Sequence, residues 1–272
     1  MKTNLLPATA AAMLAALFSL ATQTPASASL AQYPNLAYHN DFSSGTDAGW
    51  TQLSAFALST GQTWNASTGA YELTAPANGY NPGTGKYGFA GSAVTGLTIG
   101  DGYVQSDVVT WQGIGAWGAW GVGSRLNNLA TPLGMTGYGF VFEPYGNSGA
   151  GDIRLERLGP PSIFNSLGAL NVTLTPGNRY TLTLETTGSS IVGSLWNVGQ
   201  VGTGLVGSVS ATDATYASGS AGVFDVTQAP MPTVDATFDN YLVMIPEPGT
   251  GLLLGLGLAG FLAGRRSWPK QS

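Results

Sequence analysis

The sequence predicts an all-β fold, an antiparallel β-sandwich, from three observations. Apolar and polar residues alternate in short runs, most strictly at 180–186, as they do in strands with one buried face. Glycine, with 40 of 272 residues, and asparagine supply turns between these runs. Helical periodicity is scarce, so the strands follow one another without helical crossovers and pair antiparallel.

The alternating runs define the elements in chain order. The predicted strands are 70–74, 103–111, 138–143, 152–158, 180–186, 191–196, 205–210, 222–227 and 237–243. With less regular segments included, we expect about a dozen strands, in a sandwich or a barrel. The one helical candidate is a single turn at 214–218.

The N-terminus has the pattern of an export signal. Lys2 is followed by an alanine- and leucine-rich run at 5–21 and by Ala26-Ser27-Ala28. A positive charge, a short apolar core and a small-x-small site are typical of a secretory signal peptide. The sequence therefore predicts a signal peptide over 1–28, cleaved after Ala28.

The C-terminus, 245–272, has three parts. Pro246, Glu247 and Pro248 come first, then an apolar run at 251–264, then Arg265 and Arg266. The prolines favour an extended, accessible segment. As a helix the 14 apolar residues span about 21 Å, so with their flanks they make a marginal single transmembrane helix that the arginines stop on the cytoplasmic side.

This tail resembles the PEP-CTERM sorting signal of Gram-negative bacteria. The resemblance implies that an exosortase, a membrane enzyme, processes the precursor near Pro246-Glu247-Pro248 after export. The protein would then be anchored transiently by its C-terminal helix and remain at the cell surface or in the extracellular matrix. Such proteins are associated with exopolysaccharide and biofilm.

Between the two signals lies one predicted domain, residues 29–244. It contains 5 basic and 13 acidic residues, a net charge near −8, so nucleic acids and anionic lipid surfaces are poor partners. The chain has no cysteine and one histidine, which excludes thiol nucleophiles, thiolate metal sites and histidine-rich metal centres.

The order of features in this domain narrows the fold. The order of these features resembles that of the laminin-G-like, concanavalin-type jelly rolls of secreted bacterial proteins. The features are Asp41-Phe42, Gly49-Trp50, the run 102–111, the pair of runs within 179–196 and the closing run 238–243. The resemblance implies that the first and last strands pair side by side and close the domain.

Catalytic patterns are weak. The glucanases of this fold carry Glu, Asp and Glu at alternating positions of one strand, and this chain has no such run. The nearest match is Asp152, Arg154 and Glu156, where we expect the arginine to keep both acids ionised, in a salt-bridged strand face. Glu143 is the better single acid, and His39 is expected on a loop, without the serine motif of a triad.

Two kinds of binding site remain. A structural calcium ion needs only loop carboxylates and carbonyls, and the candidates are Asp41, Asp101 and Asp239. The alternative is that these aspartates cap turns.

Sugar rings stack on flat aromatic faces, and tryptophans are frequent around 111–120. We therefore expect carbohydrate contacts among aromatic residues, although each of these could instead fill the core. The candidates are Trp111, Trp117, Trp120, Tyr138 and Tyr145.

The sequence thus predicts a secreted structural or polysaccharide-binding protein rather than an enzyme. A glycan-active hydrolase or lyase of the same fold is the alternative. A self-associating matrix protein, joined through exposed strand edges, is a third interpretation.

Overall fold

The structure is a computed structural model of the chain and describes residues 34–53, 61–75, 88–111, 118–130, 134–145, 149–160, 164–227 and 234–246. These residues form fifteen strands and no helix. The strands are β1 Asn35–Asn40, β2 Trp50–Leu53, β3 Thr63–Asn65, β4 Tyr71–Ala75, β5 Gly88–Val94, β6 Gly102–Trp111, β7 Gly118–Asn127, β8 Thr136–Pro144, β9 Ala150–Leu158, β10 Phe164–Thr173, β11 Tyr180–Thr187, β12 Ser190–Asn197, β13 Leu205–Thr212, β14 Ser220–Thr227 and β15 Val234–Ile245.

The strands form two antiparallel sheets packed face to face. Sheet A has the order β13-β12-β11-β6-β15-β4-β3, and β1 also pairs with β15. Sheet B has the order β10-β9-β8-β7-β14-β5-β2. On one side β15 pairs with β6, and on the other it pairs first with β4 and then with β1, so the first and last strands lie side by side. The all-β sandwich and its closing pair are therefore confirmed.

Two local predictions are wrong. The segment 214–218 forms no helical turn, since it belongs to the connection from β13 to β14. Hydrogen bonds at both ends hold this connection, including one from the amide of Tyr216 to the hydroxyl of Tyr138 (3.1 Å). His39 is not on a loop, because it lies in β1 opposite Leu242.

The main core lies between the sheets and follows the alternation of each strand. On β8, Tyr138, Phe140 and Phe142 point into it, whereas Val141 points to the other face of sheet B. On β11, Leu182 and Leu184 meet these rings from sheet A. Burial of such side chains stabilises the fold by about 1.5–3 kcal/mol each.

Glycine lets large rings enter this core. Gly193 on β12 faces the ring of Phe140, and a Cβ at Gly193 would lie 2.1 Å from Cδ2 of that ring. On the outer face of sheet B, a Cβ at Gly139 would lie 2.9 Å from Cζ of Phe224. The abundance of glycine in these strands thus reflects close packing on both faces of sheet B.

A buried arginine joins the two sheets at one end of the sandwich. Arg125 on β7 is 1% exposed. It donates hydrogen bonds to the carbonyls of Gly100 (2.8 Å), Gly188 (2.9 Å) and Tyr216 (2.9 Å), and to the carboxylate of Asp101 (3.2 Å). Gly188 lies in the turn between β11 and β12 of sheet A, whereas Gly100 and Tyr216 lie in connections between the two sheets. One side chain therefore holds three connections.

A buried carboxyl joins the sheets nearer the other end. Asp225 on β14 is 0% exposed, and one of its oxygens accepts a hydrogen bond from the amide of Ala236 on β15 (2.9 Å). Burial raises the pKa of Asp225 well above its ordinary value. Burial therefore favours the neutral form of this carboxyl.

The sandwich has two distinct ends. The tail end holds Pro34, Asp101 and Pro246, while the far end holds Trp111 and Tyr145. Because Tyr103 pairs with Met244 and Trp111 with Ala236, the two ends are separated by eight residues of β15, about 27 Å.

Both predicted export segments lie mostly outside the described residues. These are the signal peptide 1–28, the sorting residues Glu247, Pro248, Arg265 and Arg266, and the transmembrane run. Within the described part of the chain, no helix has the length and apolar character needed to cross a membrane.

Replacing Arg125 should destabilise the fold strongly. In Arg125→Met the three carbonyls and Asp101 lose a buried donor, and we expect the free energy of unfolding to fall by about 3 kcal/mol or more. Urea denaturation followed by tryptophan fluorescence measures this. Arg179→Met is the matched control, since Arg179 is exposed and should change stability by less than about 0.5 kcal/mol. If Arg125→Met lowers the free energy of unfolding by less than about 1 kcal/mol, the role of Arg125 in joining the two sheets is contradicted.

Candidate functional site

An exposed tyrosine is fixed on the outer face of sheet B at the far end. Tyr145 follows β8 and is 48% exposed, and its amide donates to the carbonyl of Ala150 (2.7 Å). Its hydroxyl donates to one carboxylate oxygen of Asp152 on β9. The side-chain amide of Asn171, opposite Asp152 on β10, donates to the other oxygen. Three neighbouring strands therefore hold one aromatic ring at a defined place.

An open groove of about 350 Å³ lies beside this ring. Its lining combines an aromatic face, amide and hydroxyl groups and small residues that keep the floor low. The lining residues are Tyr145, Ala150, Gly151, Asn171, Val172 and Thr173. Such a surface offers stacking and neutral hydrogen bonds to a ligand, which is what a sugar ring requires.

The hydrogen bond to Asp152 also strengthens the preference of the tyrosine for its neutral form. It raises the pKa of Tyr145 to about 12. The hydroxyl therefore remains a neutral donor at physiological pH. The groove presents a rigid phenol and not a proton-transfer group.

An arginine and two glutamates lie on the same face of sheet B. Arg154 on β9 contacts Glu143 on β8 (Nη1 to Oε2, 2.7 Å) and Glu156 (Nε to Oε1, 2.9 Å). The side chains of Glu143 and Glu156 are 13% and 4% exposed. The predicted salt-bridged face is present, and Glu143 joins it from the neighbouring strand.

The expectation that Arg154 keeps both neighbouring acids ionised is wrong for Glu156. Burial raises the pKa of Glu156 to about 7, although the arginine lowers it. Its Oε2 atom is buried and has no hydrogen-bond partner among the described residues. Desolvation of the carboxylate therefore outweighs the attraction of a single cation.

The five predicted aromatic residues divide between surface and core. Tyr145 is the exposed one, and Trp117 lies outside the described residues. Trp120 and Tyr138 are 0% exposed, so their assignment to sugar contacts is corrected, because a buried ring offers no face to a ligand. Trp120 packs against Phe142 (ring centroids 5.2 Å apart).

Trp111 occupies an intermediate position at the far end. It is half-buried, its ring lies 5.8 Å from that of Trp120, and its indole N–H donates to the carbonyl of Asn178 (3.1 Å). This contact holds Trp111 against the connection between β10 and β11. Trp111 and Tyr145 thus share an end of the sandwich without belonging to one groove.

The predicted calcium ligands do not converge on one point. Asp101 is bound by Arg125 and by the amide of Gly188 (2.8 Å) at the tail end. Asp41 lies close enough to Asp239 for its charge to raise the pKa of Asp239, after the larger effects of burial and of Asp107. In the described ranges, no three His, Asp or Glu residues form a group able to hold a metal. The calcium ion stays a prediction that these residues do not support.

The remaining acids of the predicted sites have local roles. The hydroxyl and amide of Ser43 donate to Asp41 and lower its pKa. Asp239 accepts from the amide of Asn240 (2.7 Å). These are the turn and cap roles that the sequence left open as the alternative.

Sequence reasoning missed the polar residues that complete the groove. Asn171 and Thr173 lie on β10, a strand with an irregular exposure pattern and a register shift between Ser166 and Gly168. No strict alternation identifies such a strand. The pairing of Asn171 with Asp152 becomes visible only from the register.

Comparison with known proteins gives one sequence match and many fold matches. Residues 245–267 match the PEP-CTERM protein-sorting motif, so the predicted sorting signal is confirmed and indicates an exported protein. No curated protein matches the chain.

Several solved structures share the jelly-roll fold. The CBM2 module of the evolved Dit of Lactobacillus casei phage J-1 is 11% identical, with a TM-score of 0.55 over 79% of this chain and 97% of that one. Lectin II from Ulex europaeus is 10% identical, with a TM-score of 0.53 over 76% and 97%. The GlcNAcα1-4Gal-releasing endo-β-galactosidase from Clostridium perfringens is 12% identical, with a TM-score of 0.55 over 84% and 66%. At these identities the likeness concerns the fold.

Stability should depend on pH through Glu156. Its folded-state pKa of about 7 lies above its ordinary value of 4.5, so the folded chain binds this proton more tightly than the unfolded chain. The protonated Glu156 therefore contributes fully to the free energy of unfolding below about pH 4.5, and this contribution is lost as the pH rises through 7. Glu156→Gln has no proton to lose, and its free energy of unfolding should rise relative to the unsubstituted chain by on the order of 3 kcal/mol between pH 4.5 and 8.

Urea denaturation of both proteins at several pH values measures this difference. The comparison at pH 4.5 serves as the internal control, because the glutamine then replaces a protonated carboxyl of the same shape. A difference between the two proteins that stays constant with pH would contradict the raised pKa of Glu156.

Proposed function

We propose that this exported protein acts at the cell surface or in the extracellular matrix and binds a polysaccharide through the groove beside Tyr145. The observation that carries the proposal is the half-exposed tyrosine ring, held by Asp152 over a groove with amide and hydroxyl groups. Exposed aromatic residues held on a rigid scaffold are suited to stacking on sugar rings. A purely structural role in the matrix would leave this arrangement without a ligand.

The charges of the site favour a neutral or amine-bearing glycan. Asp152 is held by two neutral donors, while Glu143 and Glu156 share Arg154 as their cation. The domain as a whole carries 13 acidic and 5 basic residues. A polyuronate or sulfated polymer would meet carboxylates at this groove and would be repelled.

The fold matches support binding without excluding catalysis. The matched structures include a module named for carbohydrate binding and a lectin, which bind without reaction, and an endo-β-galactosidase, which cleaves. The fold therefore suits either function, and the side chains must decide between them.

A glycan-active hydrolase is the second candidate, and the raised pKa of Glu156 favours it, since a general acid needs such a value. Against it, the Glu156 side chain is 4% exposed and is bound to Arg154. A general acid must lie within hydrogen-bond reach of the glycosidic oxygen. We therefore place binding first.

Tyr145→Ala should abolish or strongly weaken retention on the glycan that the protein binds. Stacking of a sugar on an aromatic ring contributes about 1 kcal/mol or more, so we expect at least a five- to tenfold rise in Kd. Pull-down of the protein on neutral, amine-bearing and anionic polysaccharides identifies the ligand class. Titration calorimetry on the retained polysaccharide then gives the affinity.

Leu205→Ala is the matched control, because Leu205 is 52% exposed and lies on β13 of the other sheet. It should bind like the unsubstituted protein. Retention on anionic polymers alone, or equal affinities of Tyr145→Ala and Leu205→Ala, would refute the proposed groove. Release of reducing sugar that Glu156→Gln abolishes would establish the hydrolase instead.

The sorting motif has a separate test. Replacing Pro246, Glu247 and Pro248 with alanines should block exosortase processing and leave the precursor in the membrane fraction of an exosortase-containing cell. Immunoblots of membrane and extracellular fractions measure the ratio of long to short forms. The segment Pro230-Met231-Pro232 has the same proline spacing outside the motif, so its replacement with alanines is the matched control. Unchanged processing of the motif variant would refute exosortase recognition.

A further inference from the structure

The sorting tail leaves the sandwich directly from a fully paired strand. The last residue of β15, Ile245, lies opposite Asn35, and Met244 lies opposite both Leu36 on β1 and Tyr103 on β6. The sorting motif begins at the next residue, Pro246. No unpaired linker therefore separates the folded body from the tail.

The position of the tail limits how far the body can move from a membrane. The predicted membrane segment begins at Gly251, six residues after Ile245. Fully extended, six residues reach about 20 Å at most. The body is longer than this, because the 12 residues of β15 extend over about 36–40 Å. While the tail is in the membrane, the tail end of the sandwich must stay close to the lipid surface.

The surfaces of the sandwich differ in their suitability for that lipid surface. The residues 34–37 and 242–246 at the tail end carry no charge, and Leu36 is 61% exposed. Asp101, which lies at the same end, is paired with Arg125. The ends of β1 and β15 at the point of attachment are therefore apolar or neutral, and Glu185 lies two strands away from Met244, opposite Tyr103.

Both broad faces are acidic by contrast. The outer face of sheet A carries Glu72, Glu185, Asp235 and Asp239, at positions that alternate with core residues. The outer face of sheet B carries the acids around Arg154. Where the lipid headgroups are anionic, a body lying on either face would bring carboxylates against charges of the same sign.

We propose that the anchored precursor stands upright on the membrane, with its tail end against the lipid surface, Leu36 at the interface and the far end directed outward. The partner is the lipid bilayer that holds the tail. The proposal rests on the sorting motif and the strand pairing, and it does not require glycan binding.

The orientation has a consequence for the time before processing. Trp111 and the groove at Tyr145 lie at the far end, about 27 Å beyond the residues nearest the membrane. These surfaces are accessible while the tail is uncleaved. Exosortase processing then releases the body. The far end is already exposed before this cleavage.

Fluorescence quenching from the lipid tests the orientation. The chain has no cysteine, so Leu36→Cys and Asn178→Cys each carry a single thiol for a nitrobenzoxadiazole label. Both residues are exposed, at the tail end and at the far end. The full-length chain is inserted into vesicles of phosphatidylcholine and phosphatidylglycerol that contain a lipid with a spin-labelled headgroup. Measurements use the protein that resists carbonate extraction.

We expect at least twofold stronger quenching at position 36 than at position 178. A 20-residue glycine-serine insertion between Thr250 and Gly251 is the control, because it frees the body from the surface and should remove at least half of that difference. Equal quenching at the two positions, stronger quenching at position 178, or a difference that the insertion leaves unchanged would overturn the proposal. Circular dichroism shows that each labelled variant is folded.

Discussion

The hydrogen bonds of Arg125 are the constraint on which the tail end of the sandwich depends. Arg125 adopts a positive φ of 52°, which costs an L-residue about 1–2 kcal/mol, and the pairing of β7 with β14 shifts register at this point. This bulge turns the side chain away from the regular alternation. It then reaches carbonyls of three connections and Asp101, which a shorter or less branched cation could not do. The hydrogen bonds that join sheet A to sheet B offset the cost of this backbone conformation.

The sequence predicts strands well where apolar and polar residues alternate and poorly where small and apolar residues occupy both faces. On β11 the alternation of Leu182, Thr183 and Leu184 identifies the strand, although the expected wet face is wrong, because Thr183 is buried as well. All seven residues of β5, Gly88–Val94, are buried, because the outer face of sheet B carries a second apolar cluster around Phe89 and Phe224. Such a strand has no alternating polar residues, and its glycines are typical of turns. The position of β5 follows from its partners β14 and β2 and not from its own pattern.

The candidate site shows a similar division. The residue types predicted that aromatic side chains contact the ligand. The face of the sheet on which each ring lies depends on the strand register. Trp120 faces the core because it pairs with Phe142 and with the buried Asp225. Tyr145 lies just beyond the end of β8 and escapes this packing. The association of Glu143 with Arg154, and the burial that raises the pKa of Glu156, likewise arise between strands that are distant from each other in the sequence.

The pairing of the few charged residues is the reason for which we place binding ahead of catalysis. Arg125, Arg154 and Arg157 are each paired with carboxylates, and Asp225 is closed inside the core. Most glycoside hydrolases use two carboxyl groups that flank the same bond and have separated pKa values. Here the carboxyl with the raised pKa is the less accessible member of its pair, and Arg154 occupies the space between the two acids. Beside the groove, the described residues present a phenol, an amide and a hydroxyl group, which are suited to neutral hydrogen bonds and stacking.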